Sequence, residues 1–429
     1  MFEQRRKRLL DAMGPDAVAV VIGASLVTRS NDTEFPFRQD SDFWYLTGFE
    51  HPDAIAVLRT DDGPTYTLFV QPRDKAAETW TGRRPGVDGA VERYGADEAH
   101  DVGLFAERLP EIVRGVDRLY HSLGRRPDID ERLVQIQAEA RRQSRSAPPP
   151  VEEIVDPRGL LHEMRLFKSD EEVALMRRAA EISVTAHRAA ARIALPGRYE
   201  YELEAELYRH FRGEGGSGPA YGSIVAGGDN ATILHYVSND ALLREGELVL
   251  IDAGVEYQSY ASDVTRTYPV GGRYEGAAKE VYEAVLDAQL LALSECKPGA
   301  TLPAIHDATV RRLCEHMVTL GLLEGEVDGL IESEAFRGYY MHGTSHWLGL
   351  DVHDVGLYRR EHEPRPLEPG MAFTIEPGIY VPGDAEKAPE RLRGIGVRIE
   401  DNVIVTEDGH ENLNTAIPKA PDDVERWMA

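Results

Sequence analysis

The sequence is poor in cysteine, in basic residues and in long apolar runs. Its 429 residues include two cysteines, Cys296 and Cys314, and neither belongs to a CxxC pair. A disulfide framework is therefore not expected, and a reducing compartment fits this composition. No apolar run approaches membrane-spanning length, and the charged N-terminal segment MFEQRRKRLLDAMG lacks the apolar core of a signal peptide. We expect a cytoplasmic protein without a membrane partner.

The shortage of basic residues leaves the chain strongly acidic. Lysine and arginine total 48, against 74 aspartates and glutamates, and the formal net charge is −26. This balance disfavours binding to nucleic-acid phosphates and to anionic membrane surfaces. We therefore expect no nucleic-acid partner, and the charge by itself indicates no substrate.

The length of the chain predicts two domains, because it exceeds what one hydrophobic core usually fills. Up to about residue 120, short apolar strands alternate with helices, which predicts a small α/β domain; its aromatic-rich stretch Phe37–Phe49 is predicted to be an edge strand. The segment APPP, residues 147–150, cannot form a regular helix or a central strand. We place a linker from about Arg145 to Pro157, and domains at 1–155 and 156–429.

The second domain is predicted to contain two rounds of helices followed by strands. Ser169 and Glu172 form a capping-box pattern, S-x-x-E, at the start of the first helix. The predicted helices of both rounds are Val173–Ile193, Tyr201–Arg212, Glu275–Leu293 and Leu302–Gly321. This repeated order indicates an internal duplication and an α+β fold.

Two aspartates lie on a predicted hairpin in this domain. The apolar run Leu248–Ile251 predicts a strand buried on both faces, and it ends at Asp252. If the hairpin closes around Tyr257 and Gln258, Asp263 lies opposite Asp252, with the Cβ atoms about 5 Å apart. Two carboxylates at this distance repel each other unless a cation lies between them. For this pair alone, the simpler explanation is that both aspartates end strands and cap loops.

Three later residues add to this pair. His346 follows His342 in the sequence HGTSH, Glu376 ends an apolar strand before Pro-Gly, and Glu400 follows the strand residue Arg398. Each alone has an ordinary explanation as a core or turn residue. Together, four carboxylates and one imidazole suit two divalent cations such as Mn²⁺, Co²⁺, Zn²⁺ or Fe²⁺. Two such ions, about 3.5–4 Å apart, can hold and activate a bridging hydroxide. HGTSH is not HExxH, which excludes the zincin class.

Five motifs in this order and spacing resemble the proline-specific branch of the pita-bread metallopeptidases, most closely the aminopeptidase P type. They are LVLIDAG, SDVTRTYPV, MHGTSHWLGLDVHDVG, LEPGMAFTIEPGIY and GVRIEDNVIVTEDG, and the resemblance covers most of residues 165–415. In the first domain, FRQDSDFWYLTGFEHPDA is similar to the N-terminal domain of that family. The resemblance implies a duplicated helix–helix–strand (pita-bread) catalytic domain. It also implies an N-terminal α/β domain that serves oligomerisation and shapes the cleft.

The resemblance also implies roles for the acids. The residues that match the five metal-ligand positions are Asp252, Asp263, His346, Glu376 and Glu400. Asp263 and Glu400 would bridge two ions, most often manganese in this family, with Co²⁺ or Zn²⁺ as alternatives. Asp252 would complete one ion site, and His346 and Glu376 the other. Glu376 would also accept a proton from the nucleophile.

Other matching positions concern the substrate. His235, His342 and His353 match histidines that hold the carbonyl and the proline and help in proton transfer. Tyr380 and Arg398 match cleft positions, with Arg398 orienting the metal carboxylates. An aromatic residue in a charged loop, such as Trp80, is more often a local packing anchor. The resemblance instead implies that its loop enters a neighbouring subunit's site within a homo-oligomer, a dimer or tetramer.

The implied activity is removal of the N-terminal residue from peptides whose second residue is proline. A prolidase, which cleaves only Xaa-Pro dipeptides, would share the metal centre and is the main alternative. A non-catalytic pita-bread binding module is disfavoured because all five ligand positions are intact. A methionine aminopeptidase is disfavoured because it needs no first domain of this size.

Overall fold

The computed structural model describes residues 1–142 and 151–429. They form two compact units, Met1–Met164 and Arg165–Ala429, so the division lies a few residues beyond the expected boundary near residue 155. The first part of the predicted linker, including Arg145 and APPP, lies outside the described residues. Its described end departs from the prediction, because Glu153–Val155 is a strand that pairs with its neighbour in a sheet.

Within residues 1–142 and 151–164, the first unit is built on a six-stranded mixed sheet with helices around it. Its strands are β1 Ala17–Ile22, β2 Thr28–Ser30, β3 Thr33–Glu34, β4 Ile55–Arg59, β5 Tyr66–Val70, β6 Glu98–Asp101, β7 Arg118–His121 and β8 Glu153–Val155. Its helices are α1 Phe2–Met13, α2 Ser41–Thr47, α3 Lys75–Thr81, α4 Gly86–Tyr94, α5 Phe105–Ile112, α6 Pro127–Arg142 and α7 Arg158–Leu166, which ends just beyond the boundary. The strand order is β6-β5-β4-β1-β7-β8, and β2 and β3 form a separate ribbon.

The central strand β1 explains the position of this core. Its sequence AVAVVI is buried along its whole length, as expected for a strand covered on both faces. It pairs antiparallel with β4 and parallel with β7. Val18 and Val20 pack with Leu109 of α5 and Leu119 of β7 in the same core.

The prediction of an edge strand over Phe37–Phe49 is wrong, because this stretch contains helix α2. The Asp40 side chain accepts a hydrogen bond from the main-chain N–H of Phe43 and so caps the helix start. Gly48 ends the helix at a φ of 63°. Every residue of α2 is buried, so its pattern shows no polar face that would indicate a helix.

The second unit contains two rounds of helices and strands, as predicted. Its helices are α8 Asp170–Arg192, α9 Glu200–Gly213, α10 Gly276–Ser294, α11 Leu302–Leu320, α12 Val327–Glu332 and α13 Pro421–Met428. Both hydrogen bonds of the Ser169–Glu172 capping box are present at the start of α8. Among the described residues, none of the helices has the length and apolarity that crossing a membrane requires.

The strands of the second unit contribute part of its cavity lining. They are β9 Gly218–Pro219, β10 Ile224–Gly227, β11 Leu248–Asp252, β12 Val255–Tyr257, β13 Tyr260–Ala261, β14 Thr265–Pro269, β15 Arg359–Arg360, β16 Glu363–Pro364, β17 Ala372–Ile375, β18 Gly378–Val381, β19 Ile395–Arg398, β20 Asp401–Val405 and β21 His410–Asn412. The first round forms the antiparallel sheet β10-β11-β14. The second round forms β17-β20-β21 and the pair β18-β19. Buried side chains of both rounds share one hydrophobic core.

Candidate metal centre

The two aspartates of the predicted hairpin lie on one side of it, but in a different register from the predicted one. Asp252 ends β11 directly opposite Thr265 of β14, so Asp263 is a diagonal neighbour rather than the direct partner. The chain turns at Gln258 and Ser259, which have φ values of 47° and 67°. A turn with two positive φ values matches the twist of a hairpin, although it usually requires Gly or Asn. Without that signal, the predicted turn was misplaced by one residue.

Asp252 is a buried carboxylate with two strong hydrogen-bond donors. The Tyr221 hydroxyl donates to its Oδ1 at 2.6 Å, and Nη2 of Arg398 donates to its Oδ2 at 2.7 Å. Burial raises the pKa of Asp252, and the nearby Asp263 raises it further, while Arg398 opposes the shift. The two donors fix the orientation of the carboxylate.

Asp263, His346 and Glu400 form a compact set of potential metal ligands. Each offers one ligand atom, and these atoms all lie within 4.8 Å of one another. Nε2 of His346 is 3.3 Å from Oδ2 of Asp263, while Nδ1 of His346 is 3.0 Å from the main-chain oxygen of Trp347. The second contact leaves Nε2 directed at the acids, which is the usual arrangement of a metal-binding histidine.

Glu376 follows the last residue of β17 and faces the same cluster. Its Oε1 is 3.6 Å from Nε2 of His346, and its Oε2 is 3.5 Å from Nδ1 of His342. The register of the sheet places it here, since Ile375 pairs with Asp401, the residue after Glu400. Burial raises the pKa of Glu376 to about 7, against the opposing effect of His346 and Arg398.

The electrostatics of the cluster fit bound cations. Burial, and then repulsion from the neighbouring carboxylates, raise the pKa of Glu400 well above its usual range. Burial alone would lower the pKa of His346, but the hydrogen bond and the charge of Asp263 raise it to about 9. Among the described residues that line the cavity, four are carboxylates and Arg398 is the one lysine or arginine. The site therefore has more carboxyl groups than cationic side chains to neutralise them, and oxygen ligands with one imidazole suit Mn²⁺, Zn²⁺ or a similar ion.

Arg398 connects the acids to the rest of the cavity wall. Besides Asp252, it donates through Nε to Oγ1 of Thr265 at 3.2 Å and through Nη1 to the Tyr380 hydroxyl at 3.1 Å. The Tyr380 hydroxyl lies 2.8 Å from Nε2 of His342. Because Nδ1 of His342 donates to the main-chain oxygen of Gly343 at 2.8 Å, Nε2 is the atom that accepts from Tyr380.

The cavity beside these acids has a volume of about 510 Å³. Nine of the eleven predicted site residues contribute to its lining, all except Tyr380 and Trp80, and the Tyr380 hydroxyl contacts His342. His235 and His353 are exposed, and the ring of His353 is centred 4.3 Å from that of His346. The apolar side chains of the lining are Ile224, Leu234, Val237 and Val352. The cavity thus has a charged end and an apolar wall.

Trp80 belongs to the other compact unit and is not part of this lining. It lies in α3 and its surface is 88% exposed. This exposure does not fit a local packing anchor. Its predicted role towards a neighbouring subunit stays a prediction.

Several residues with contacts to the acids were not predicted from the sequence. Tyr221 holds Asp252, and the hydroxyl of Thr265 donates to Oε2 of Glu400 at 2.6 Å. The side chain of Asn402 contacts the main chain of Asp263. Thr265 and Asn402 each lie two residues from a predicted ligand, which is the spacing of residues on one face of a strand. Tyr221 carries no comparable signal.

Comparison with known proteins decides the family. The model of metallopeptidase family M24 matches residues 174–407, and the model of the aminopeptidase P N-terminal domain matches residues 2–120. The chain belongs to metallopeptidase family M24. This membership confirms the family predicted from the motifs. The predicted α+β fold, with an N-terminal domain followed by a pita-bread domain, is also confirmed.

Relatives of this M24 metallopeptidase match over nearly its whole length. The Xaa-Pro aminopeptidase of Escherichia coli K12 is 44% identical, across 100% of this chain and 97% of the relative. Human Xaa-Pro aminopeptidase 3 is 36% identical, across 96% of this chain and 81% of the relative. The solved aminopeptidase PepP of Pseudomonas aeruginosa is 48% identical with a TM-score of 0.97, across 100% of this chain and 97% of that structure. A zinc-substituted E. coli aminopeptidase P in complex with product has a TM-score of 0.95 at 44% identity, across 100% of this chain and 97% of that structure.

Proposed function

We propose that this M24 metallopeptidase removes the N-terminal residue from peptides whose second residue is proline. One observation carries the proposal: Asp263, His346 and Glu400 offer ligand atoms within 4.8 Å of one another, and Asp252, Glu376 and three histidines line the same cavity. The names of the relatives support the choice of substrate, since bacterial and human relatives are Xaa-Pro aminopeptidases.

We assign the metal ligands as Asp252, Asp263, His346, Glu376 and Glu400. By resemblance to the M24 family, Asp263 and Glu400 would each contact both of two ions, most often Mn²⁺. Asp252 would complete one ion site, and His346 and Glu376 the other. When bound, such a pair of cations supplies an activated water and positive charge for the developing oxyanion. The excess of carboxylates over cationic side chains supports this occupancy.

Glu376 is assigned as the proton acceptor for the attacking water. Its carboxylate lies beside both His342 and His346, and its pKa of about 7 in the ion-free site reflects its burial. The same carboxylate would serve the attack of the water and the departure of the leaving nitrogen.

His342 is assigned to the substrate side of the cavity as a neutral imidazole. Burial, and then the charge of Arg398, lower its pKa to about 3. Tyr380 holds Nε2 and Gly343 holds Nδ1, so the ring is fixed in orientation. His235 and His353, at the exposed end of the cavity, would contact the proline and its carbonyl.

Proline is a suitable second residue for such a cavity. Its peptide nitrogen carries no hydrogen and its ring fixes φ, so an apolar wall can select the ring without satisfying an N–H donor. Leu234, Val237 and Val352 provide that wall. The free amine of the first residue would lie near Asp252.

We further propose that the first domain serves assembly into a homo-oligomer, with Trp80 reaching a neighbouring subunit's site. Its 88% exposure supports this role, because a tryptophan of that exposure gains from burial against another chain. Light scattering of the wild type and of Trp80→Ala measures the assembly and its dependence on this side chain. The domain boundary near residue 155 and the cytoplasmic location stay predictions.

Turnover of two substrates tests the proposed function. After chelation and reloading with Mn²⁺, the enzyme should cleave Arg-Pro-Pro without preferring Ala-Pro. Cleavage of Ala-Pro alone would instead indicate a prolidase. Absence of both bound metal and turnover would refute the enzymatic proposal. Reloading in parallel with Co²⁺ and Zn²⁺ identifies the preferred ion.

A further inference from the structure

The side chain of Asn402 holds the main chain of Asp263. Asn402 is 1% exposed. Its Nδ2 donates to the main-chain oxygen of Asp263, and its Oδ1 accepts the N–H of Asp263 at 3.0 Å. The Ser262 hydroxyl donates to the same Oδ1 at 3.3 Å. Residues 262–264 belong to no strand. The Asn402 carboxamide therefore satisfies the main-chain N–H and oxygen of Asp263, as the main chain of a neighbouring strand would.

This contact continues an alignment between two chain segments. The Thr267 hydroxyl donates to the main-chain oxygen of Arg398 at 2.9 Å, and the N–H of Glu400 donates to the main-chain oxygen of Thr265 at 3.0 Å. Asp263 and Asn402 form the next step, two residues further along each segment. Side chains thus replace missing main-chain bonds at positions where two predicted metal ligands, Asp263 and Glu400, must stand close together.

Asn402 is itself held in place by the sheet. It lies in β20 opposite Thr374 of β17. Its main-chain N–H donates to Oδ1 of Asn414 at 2.7 Å, and its main-chain oxygen accepts from the N–H of Leu413 at 2.9 Å. Its side chain therefore transfers the position of a rigid strand to the irregular segment that carries Asp263.

We propose that Asn402 is a positioning residue that sets the spacing between the carboxylates of Asp263 and Glu400. The inference rests on the proposed function, in which these two carboxylates each contact both ions. A bridging carboxylate that moves away from its counterpart can hold one ion but not two. Loss of the Asn402 side chain should therefore weaken binding of one of the two ions more than the other.

Two variants test this role, Asn402→Ala and Asn402→Asp. Asn402→Ala removes both hydrogen bonds to the main chain of Asp263. Asn402→Asp keeps the size of the side chain and the acceptor oxygen but removes the donor to the Asp263 oxygen. Gln39→Glu is the matched control, because Gln39 is also a buried carboxamide that accepts from Ala24 and Asp40 and donates to two main-chain oxygens. It belongs to the other compact unit and contacts none of the proposed ligands.

Each protein is stripped of metal, and Mn²⁺ binding is followed by titration calorimetry, with thermal unfolding as the measure of stability. We expect at least one of the two binding events to weaken about 10- to 100-fold in both Asn402 variants, as for other residues that orient metal ligands. Their kcat falls, KM stays near the wild-type value, and a higher Mn²⁺ concentration restores part of kcat. Gln39→Glu loses stability but keeps both binding events.

Two results overturn the inference in distinguishable ways. Wild-type affinity for both ions in the Asn402 variants overturns the role of Asn402 alone. A wild-type protein that binds one Mn²⁺ per chain overturns the two-ion part of the proposed function, and this inference with it. Should Asn402→Ala fail to fold, Asn402→Asp carries the test, because it preserves the volume of the side chain.

Discussion

The buried ion pair between Lys168 and Asp354 allows a quantitative prediction. Nζ of Lys168 lies 3.1 Å from Oδ2 of Asp354, and both side chains are 1% exposed. The guanidinium of Arg165 contacts the other oxygen of Asp354. This cluster joins the segment before α8 to the loop that carries His353. The substitution Asp354→Asn would leave the Lys168 ammonium buried beside a neutral side chain.

The magnitude follows from the geometry. At 3.1 Å and an effective dielectric constant of about 20, the attraction between two unit charges is about 5 kcal/mol. Desolvation of both groups offsets part of it, and Arg165 continues to neutralise Asp354 when Lys168 is removed. We therefore expect Lys168→Met and Asp354→Asn each to lower the free energy of unfolding by about 3 kcal/mol, the lower end for buried pairs.

A double-mutant cycle in urea measures the coupling. The double variant should lose much less stability than the sum of the two single variants, because no Lys168 ammonium is left beside a neutral side chain and Arg165 keeps its contact with Asp351. The exposed pair Lys279–Glu283 is the matched control, at 3.8 Å and with side chains 42% and 53% exposed. Its cycle, Lys279→Met with Glu283→Gln, should give less than about 1 kcal/mol. A coupling at Lys168–Asp354 no larger than that of the control would refute this reasoning.

The same pair predicts a pH dependence. Burial would raise the pKa of Asp354, but Lys168 and Arg165 outweigh it, so the pKa lies below its usual range. A carboxylate with a lowered pKa contributes stability above the pKa of the unfolded state, about 4, and loses it as the pH falls through the folded-state pKa. The stability difference between wild type and Asp354→Asn should therefore shrink below about pH 4 in acid titrations.

Three further predictions concern the metal centre. Arg398→Lys keeps the charge but cannot reach three acceptors with one nitrogen, so kcat should fall about 10- to 100-fold with KM little changed; a wild-type kcat would contradict the orienting role. Asp263→Asn should weaken Mn²⁺ binding in calorimetry by more than about 10-fold, and unchanged affinity would exclude Asp263 as a ligand. The pKa of Glu376 is raised to about 7, so the folded, metal-free protein holds a proton that the unfolded chain has released. Its stability should decrease as the pH rises from about 5 to 8, and an EDTA-treated protein with the same Tm at both pH values would count against this.

Local patterns predicted much of the second unit. The S-x-x-E pattern at Ser169 predicted the start of α8, because both capping bonds involve residues three apart. Apolar runs that stop at an acid predicted that Asp252 and Glu376 end or follow buried strands. These predictions succeeded because the signal lies within a few neighbouring residues.

Two local predictions failed for identifiable reasons. The Phe37–Phe49 stretch contains a helix without a polar face, so hydrophobic periodicity could not distinguish it from a strand. The hairpin turn uses Gln258 and Ser259 at positive φ, which neither residue type indicates. The register of Asp252 and Asp263 depends on that turn.

The sequence by itself determined which chemical groups are available: four carboxylates and an imidazole on or beside apolar strands, in an order that indicates the family. Only the tertiary structure decided how they are held. Asn402 reaches Asp263 and Thr265 reaches Glu400 across separations of 139 and 135 residues. Hydrogen bonds of this kind depend on how the two rounds of strands pack against each other. No periodicity or spacing within either segment specifies that packing.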